Sequence, residues 1–166
     1  MRKQTVGVRS SRPLIMASVA LAALAVAVLF VYHSYRQACL VLINEQSGQV
    51  LFCEPIGGDN EFALSFTHSV NQSMVTEYYY IEKGEIYLKS LRFYTFGAGM
   101  PSEVGFGQTM RYEEDGAMVI EGFARHMPRL TYNIGRTANH TLHWQGLKIP
   151  LNTLDAPGQP VLFYVK

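Results

Sequence analysis

Residues 62–96 read FALSFTHSVNQSMVTEYYYIEKGEIYLKSLRFYTF and indicate the fold of the chain. Three segments within it, at 62–70, 75–81 and 85–96, are rich in aromatic and β-branched residues and place apolar side chains at alternate positions, as strands with one buried face do. The residues between them, NQSM at 71–74 and EKG at 82–84, are typical of turns. This stretch therefore predicts two consecutive antiparallel hairpins.

The rest of the chain after residue 36 extends this pattern. Further short strands are expected at residues 39–44, 49–53, 105–112, 118–123, 130–134, 141–144, 148–151 and 161–165. Turn residues such as Asp115-Gly116 and Gln145-Gly146 separate them, and no segment holds a helical period over three turns. Many short strands at near-regular spacing predict an all-β antiparallel domain, either a sandwich or a barrel.

An apolar segment without charged residues precedes this domain at residues 14–32, and four Lys or Arg side chains lie before it. A helix needs about 20 apolar residues to cross a bilayer, whereas a cleaved signal, the alternative, has about 7–15. Cations near a span stay in the cytoplasm. We therefore predict an inner-membrane protein with a cytoplasmic leader at 1–13, a transmembrane helix at 14–35 and a periplasmic β domain at 36–166.

The charge of the exported part limits its partners. The leader holds four of the 14 basic residues and none of the 13 acidic ones, so the rest of the chain has a net charge of −3. A nucleic-acid-binding surface needs a basic face. A nucleic-acid partner is therefore not expected.

The two cysteines, Cys39 and Cys53, both lie in the predicted exported part, where thiols usually pair. If Asn44 faces Gly48 across the turn, the cysteines lie directly opposite each other, within the range of a disulfide. A type I turn with a glycine bulge would instead pair Cys39 with Pro55 and leave the cysteines diagonal. We predict a Cys39–Cys53 disulfide on the first of these registers.

The turn between the first two strands of the 62–96 stretch decides what Glu77 faces. If Val70 faces Val75, His68 lies opposite Glu77 on the apolar face, and Glu77 should raise the pKa of His68. Such a pair would be a structural feature that fixes the register, a contact to a ligand or partner, or a catalytic pair. Ser69 points to the other face on this register, which disfavours it as a nucleophile.

A glycine-rich loop, GAGMP, follows at residues 97–101 and contains Gly97, Gly99, Met100 and Pro101. Glycines permit positive φ and close backbone approach. The spacing differs from that of dinucleotide-binding loops, and no helical pattern follows. We expect either a tight crossover between sheets or a docking surface with Met100 exposed.

Neither a metal site, a cofactor site nor an enzyme activity is predicted. His140 and His143 are three residues apart, so on a strand they point to opposite faces. The chain also lacks the common hydrolase, metalloprotease and nucleotide-binding motifs.

Several segments in combination resemble one family. They are FTHSV at 66–70, VTE at 75–77, FGAGMP at 96–101, Gly135 followed by His140, and PL at 150–151 followed by PG at 157–158. Their order and spacing are similar to the bacterial domain-of-unknown-function 1850 family across residues 39–165. Such proteins are typically encoded beside TRAP-type secondary transporters that use a TAXI-type periplasmic solute receptor. The resemblance implies an accessory role in solute uptake and implies no reaction.

The resemblance and the anchor together give the expected function. The protein would be a membrane-anchored periplasmic subunit that docks on the integral permease and possibly on the solute receptor. Small side chains in the span would let helix backbones approach closely, or would reflect only the abundance of alanine in spans; they are Ser18, Ala22, Ala23 and Ala27. The alternatives are a free-standing ligand-binding module that uses the apolar face around His68 and Glu77, and a small periplasmic enzyme.

Overall fold

The computed structural model describes Met16, Leu21 and residues 23–28, 38–97 and 99–166. The chain divides into two compact units, Met1–Gln37 and Ala38–Lys166. Those residues of the first unit that are described, Ala23 and Ala27 among them, are helical. No helix in the described part of the chain is both long and apolar enough to cross a membrane. The leader, most of the predicted span, and Ser18 and Ala22 lie outside the described residues.

The second unit consists almost entirely of antiparallel strands, which confirms the all-β prediction. The strands are β1 (Cys39–Asn44), β2 (Val50–Pro55), β3 (Glu61–Thr67), β4 (Met74–Glu82), β5 (Glu85–Phe93), β6 (Thr109–Tyr112), β7 (Met118–His126), β8 (Leu130–Asn133), β9 (Thr141–Trp144), β10 (Leu147–Pro150) and β11 (Pro160–Val165). A 3-10 turn at Leu151–Thr153 separates the last two strands. Each segment predicted as a strand is one, with ends that differ by a few residues.

Two open sheets pack face to face, so the sandwich is the correct alternative and the barrel is not. Their strand orders are β2-β1-β11-β8 and β10-β9-β3-β4-β5-β7-β6. Leu40 and Phe163 of the smaller sheet share one buried cluster with Phe62, Tyr79 and Trp144 of the larger sheet. Burying an apolar side chain of this size stabilises the fold by about 1.5–3 kcal/mol. We call this cluster the first core.

A second core lies on the inner face of the larger sheet alone. Its buried members come from β4, β5 and β7 and are Val75, Leu91, Phe93, Met118 and Ile120. Met100 packs against this cluster from the connection between β5 and β6. The second core is therefore closed by a loop, whereas the first is closed by a sheet.

The glycine-rich loop belongs to that connection, and the expected crossover between sheets is wrong. Both β5 and β6 belong to the larger sheet, with β7 between them. Gly97 and Gly99 have φ angles of +89° and +91°, which side chains with a Cβ rarely adopt, and the Met100 N–H donates to the Gly97 carbonyl over 3.0 Å. This tight turn directs Met100 toward the second core.

The β3–β4 hairpin differs from the expected register. Phe66 pairs with Val75, and Glu77 pairs with Leu64, four residues before His68. A shift by an even number of residues keeps each side chain on its face, so Glu77 stays on the inner face. The predicted opposition of His68 and Glu77 is wrong, because His68 has left the strand for the loop at 68–73.

His68 itself closes that loop. Its Nδ1 accepts the backbone N–H groups of Val70 and Asn71, each over 3.3 Å, and its own N–H donates to the Ser73 carbonyl over 2.8 Å. A side chain that accepts two loop N–H groups stabilises the turn locally. In the sequence, the alternation of apolar and polar residues continues past Thr67 to Val70. The sequence therefore predicted a turn that starts at residue 71 instead of at His68.

The β1–β2 hairpin also takes the second of its two possible registers. Cys39 pairs with Pro55 and Val41 with Cys53, with an irregularity after Leu42. The cysteines are therefore diagonal neighbours, and direct opposition is wrong. Cys39 is half-buried and Cys53 is exposed, and the disulfide between them stays a prediction. The extra residue that the bulge inserts into β2 displaces Cys53 along the strand.

Candidate functional site

The segments that carry the family resemblance meet at one end of the sandwich. They comprise residues 68–73, 94–101, 134–140 and 150–158, and we call this region the signature end. Four hydrogen bonds join them to one another or to neighbouring strand ends: Thr67 N–H to Ala138 O at 2.6 Å, Asn71 Nδ2 to Thr95 O at 3.3 Å, Leu151 N–H to His140 O at 2.8 Å, and Gly158 N–H to Ile134 O at 2.7 Å. Segments far apart in sequence thus form one surface.

Glu77 lies beneath this end, on the inner face of the larger sheet. Its neighbours on the adjacent strands are Leu64 of the first core and Leu91 of the second core. A partly buried carboxylate therefore lies between the two apolar clusters. Burial raises the pKa of Glu77, although the hydrogen bond from Tyr79 and the charge of Arg125 partly oppose that rise.

Two tyrosines connect Glu77 to the smaller sheet. The Tyr79 hydroxyl donates to Glu77 Oε2 over 2.8 Å and lies 2.9 Å from the Tyr132 hydroxyl. Because Tyr79 has one hydroxyl proton, Tyr132 donates to Tyr79 while Glu77 is ionised. Burial, followed by the charge of Glu77, raises the pKa of Tyr79. The partner of Glu77 is thus Tyr79 and not the predicted His68.

His140 completes the inner part of the signature end. Its Nδ1 accepts the Gly135 N–H over 3.1 Å, and its ring centroid lies 5.3 Å from that of Phe66 and 5.7 Å from that of Tyr132. Burial lowers the pKa of His140, so its imidazole is neutral at pH 7. A Cβ on Gly135 would lie 2.7 Å from the Ala138 Cβ, so only glycine fits this turn.

Three apolar side chains form the outer part of the signature end. Val70 is 70% exposed, Met74 54% and Phe96 40%. They lie on the 68–73 loop, at the first residue of β4 and after β5, and the Asn71–Thr95 hydrogen bond joins the two loops. We call these three residues the apolar rim. Exposed apolar side chains that cluster at loops are typical of protein-binding surfaces.

The other predicted binding residues lie at this end and differ in their exposure to solvent. Ser69, Gly97 and Gly99 are exposed, whereas Met100 and Pro101 are half-buried. Met100 packs inward, so the expectation of an exposed docking methionine at this position is wrong. The rim, which the sequence analysis did not single out, holds the exposed apolar side chains instead.

The chemistry available at the signature end favours binding. Among residues 38–97 and 99–166, no three His, Cys, Asp or Glu side chains are placed to hold a metal ion. Ser69 is exposed, and its carbonyl accepts the Gln72 side-chain amide over 2.5 Å. The arrangement combines an apolar surface with a partly buried acid, and both are features of interaction sites.

A second pair of residues escaped the sequence analysis. Ser65 Oγ lies 2.7 Å from His143 Nε2 on the outer face of the larger sheet. Burial, and secondarily the charge of Lys148, lowers the pKa of His143, and either Ser65 or the neutral ring can donate this hydrogen bond, depending on the tautomer. The pairing of β3 with β9 brings these residues together. No local pattern predicts a contact between residues 78 positions apart.

Comparison with known proteins identifies a family and nothing more specific. A family model described as "Domain of unknown function (DUF1850)" matches residues 62–151. Neither the curated proteins nor the solved structures contain a match to the chain. The matched residues include the 68–73 loop, Glu77, the glycine-rich loop and His140, and they span more than half of the chain. The protein therefore belongs to the DUF1850 family.

Proposed function

We propose that this protein is an accessory subunit of a TRAP-type secondary transporter of the TAXI class. A single helix at residues 14–35 anchors it in the inner membrane, with the leader in the cytoplasm and the β domain in the periplasm. The domain docks on the integral permease and on the periplasmic solute receptor. Family membership supports this role, because the resemblance on which it rests implies proximity to such transporters. The proposal assigns the protein no reaction.

One observation carries the docking part of this proposal. The segments of the family resemblance converge on the signature end, where Val70, Met74 and Phe96 are exposed. Loops held by a rigid sheet are the usual place for recognition, because they vary without disturbing the core. A protein interface has an apolar centre with a polar border. The apolar rim would form that centre, and the polar loop residues around it would form the border.

The β domain begins at the end that lies away from the signature end. Ala38, the first residue of the second unit, accepts the Ile56 N–H over 2.7 Å beside the start of β1. Cys39 and Lys166 exchange backbone hydrogen bonds at the same end. This end is opposite the signature end, because β1 runs from Cys39 to Asn44 and Asn44 contacts Asp155 of the 150–158 segment.

Site-specific photo-cross-linking in native membranes tests the docking surface. A photoreactive residue at Val70 should cross-link to the permease or the solute receptor. Leu147 is the matched control, because it is 57% exposed and lies in the turn region at the opposite end. Cross-links of equal yield from both positions, or from Leu147 alone, would contradict docking through the signature end.

Protease treatment of spheroplasts tests the membrane topology separately. External protease should digest residues 37–166 and leave the leader and the helix with the membrane. Ser18, Ala22, Ala23 and Ala27 would then be the helix positions that contact a permease span. Full protection of the β domain, or a mature N-terminus beyond Tyr35, would exclude the proposed anchor.

A further inference from the structure

The outer face of the larger sheet, away from the smaller sheet, carries a groove that the docking role does not use. Two cavities of about 270 and 290 Å³ lie on this face and share Glu61 and Tyr78 as lining residues. Ala63 and Ser90, one at the base of each cavity, are almost fully buried although they point away from the smaller sheet. Short side chains thus form the floor, and longer neighbours form the walls. Each cavity is slightly smaller than the roughly 300–1,000 Å³ of ordinary small-molecule sites, and the two are neighbours because they share Glu61 and Tyr78.

The charges of this groove cancel. Its basic residues are Lys89, Arg92, Arg111 and Lys148, and its acidic residues are Asp59, Glu61, Glu113 and Glu121. Most of them form ion pairs with one another, with distances of 2.5 Å for Lys89–Glu61, 2.7 Å for Arg92–Glu113 and 2.7 Å for Arg111–Glu113. A positively or a negatively charged ligand would therefore meet as many side chains that repel it as side chains that attract it.

The pairs are also held in place. Arg92 bonds to Glu113 and Asp115, and its guanidinium lies 5.1 Å from the centre of the Tyr94 ring. The Glu113 hydrogen bond, the largest cause, raises the pKa of Arg92, and the arginine in turn lowers the pKa of Glu113. Donors and acceptors that are already held by such pairs lose little entropy when a ligand binds.

We propose that this groove binds a neutral saccharide. Sugar hydroxyl groups both donate and accept hydrogen bonds, so each can donate to a carboxylate and accept from the paired guanidinium or ammonium group. The ring of Tyr78, which borders both cavities, offers an apolar face to the C–H side of a sugar. The shared Glu61 and Tyr78 would lie between two adjacent sugar units, one in each cavity.

Binding should be measured on the full-length protein in a zwitterionic detergent without a sugar headgroup. The probes are maltotriose and chitotriose, with glutarate and spermidine as an anionic and a cationic comparison. Saturation-transfer NMR reports contact with the sugar, and a titration of each probe followed by isothermal calorimetry gives its affinity. At least one trisaccharide should bind, whereas glutarate and spermidine should not. Preferential binding of either charged probe, or binding of no probe, overturns the proposal.

Matched variants locate the site. Tyr78→Ala should weaken saccharide binding by about tenfold or more, whereas Tyr87→Ala should not, because Tyr87 is also half-buried but lines neither cavity. Glu61→Gln provides a second variant with an exposed side chain in case Tyr78→Ala fails to fold, and Glu85→Gln is its control. Equal affinity in Glu61→Gln and the wild type would exclude the groove as the site.

The source of the sugar is resolved by a further pair of measurements. Co-sedimentation with purified cell-wall sacculi, abolished by Glu61→Gln, would indicate a polymeric saccharide. Binding of the soluble trisaccharides without co-sedimentation would indicate a free sugar. Failure of both measurements would exclude saccharide recognition while leaving the docking role of the signature end unaffected.

Discussion

The two ends of the sandwich are built differently, although the same strands form both. At the signature end, loops of six or more residues pack on one another and leave Val70, Met74 and Phe96 exposed. At the opposite end, β4 and β5 join through Lys83-Gly84, and β9 and β10 join through Gln145-Gly146, with positive φ at all four residues. Tight turns expose few side chains, whereas long loops that pack on one another form a surface to which a partner can bind.

The two ends also differ in what determines their structure. The conformation of a two-residue turn is set by the twist of the strands that it joins. Such a turn needs only residues that adopt a positive φ, of which glycine is the commonest. The loops of the signature end instead depend on contacts between distant segments, such as His140 with Phe66 and Tyr132. A defect in one loop should therefore propagate to its neighbours at this end and stay local at the other.

The largest effect that separates the two ends should come from Gly135→Ala. The added Cβ would lie 2.7 Å from the Ala138 Cβ and 3.3 Å from His140 Cε1. Overpacking of this kind costs about 1–3 kcal/mol of unfolding free energy, and we expect the upper part of that range. Gly58→Ala, in a loop of the opposite end with no atom within 4 Å of the added Cβ, is the control. Urea denaturation that shows equal stability for both variants would remove the distinction between the ends.

A smaller loss is expected from Tyr79→Phe. The change removes the hydroxyl that donates to Glu77 and accepts from Tyr132, so two partly buried groups lose their partner. Such a loss costs about 1–2 kcal/mol. Tyr80→Phe removes a hydroxyl from the outer face and should cost almost nothing. If the two variants are equally stable, the network beneath the signature end does not contribute to the fold.

The third prediction concerns the pH dependence of stability. Because burial raises the pKa of Glu77, the folded state holds this proton more tightly than the unfolded state does. The associated stability is present below the unfolded value of about 4.3 and is lost as pH rises through the folded pKa. Glu77→Gln should therefore be more stable than the wild type at pH 7, by roughly 0.5–1 kcal/mol, and this difference should shrink at low pH.

The control for this measurement is Glu82→Gln, in the exposed hairpin of the opposite end, which should change neither the stability nor its pH dependence. A Glu77→Gln variant that is less stable than the wild type at pH 7 would mean that the bond from Tyr79 and the charge of Arg125 outweigh desolvation. Denaturation curves at several pH values between 4 and 8 distinguish these outcomes.

The smallest effect concerns the cysteines at the opposite end. Burial, reinforced by Cys53, raises the pKa of Cys39, and Cys53 is the more exposed residue. Thiol labelling of the native protein should therefore modify Cys53 faster than Cys39, because the thiolate is the reactive form. Labelling of neither residue until a reductant is added would instead establish the disulfide that the sequence predicted, despite the diagonal register.

The sequence predicted the strands well because strand formation is largely local. Alternation and turn residues in the stretch 62–96 located three strands, and the same signals in the rest of the chain located the other eight. The inner position of Glu77 also followed, since an even shift of register leaves each side chain on its face. Both results need only the two-residue period of a strand and the identity of the nearest turns.

The registers and the partners were decided by tertiary structure. The sequence placed His68 opposite Glu77, but His68 Nδ1 accepts two loop N–H groups and ends the strand at Thr67. A bulge at Leu51 of β2 likewise moved Cys53 away from Cys39. A turn is selected by a few hydrogen bonds that are worth about 1 kcal/mol each, which a residue pattern does not resolve.

The sequence by itself therefore determined the all-β class, the positions of the strands along the chain, the inner position of Glu77 and the family. Tertiary structure alone decided that Tyr132 reaches Tyr79, that Ser65 meets His143, and that four separate segments share the signature end. The physical reason is the range of the interactions. Strand periodicity is read from neighbours in the chain, whereas these contacts depend on the order in which strands pair and on the packing of two sheets.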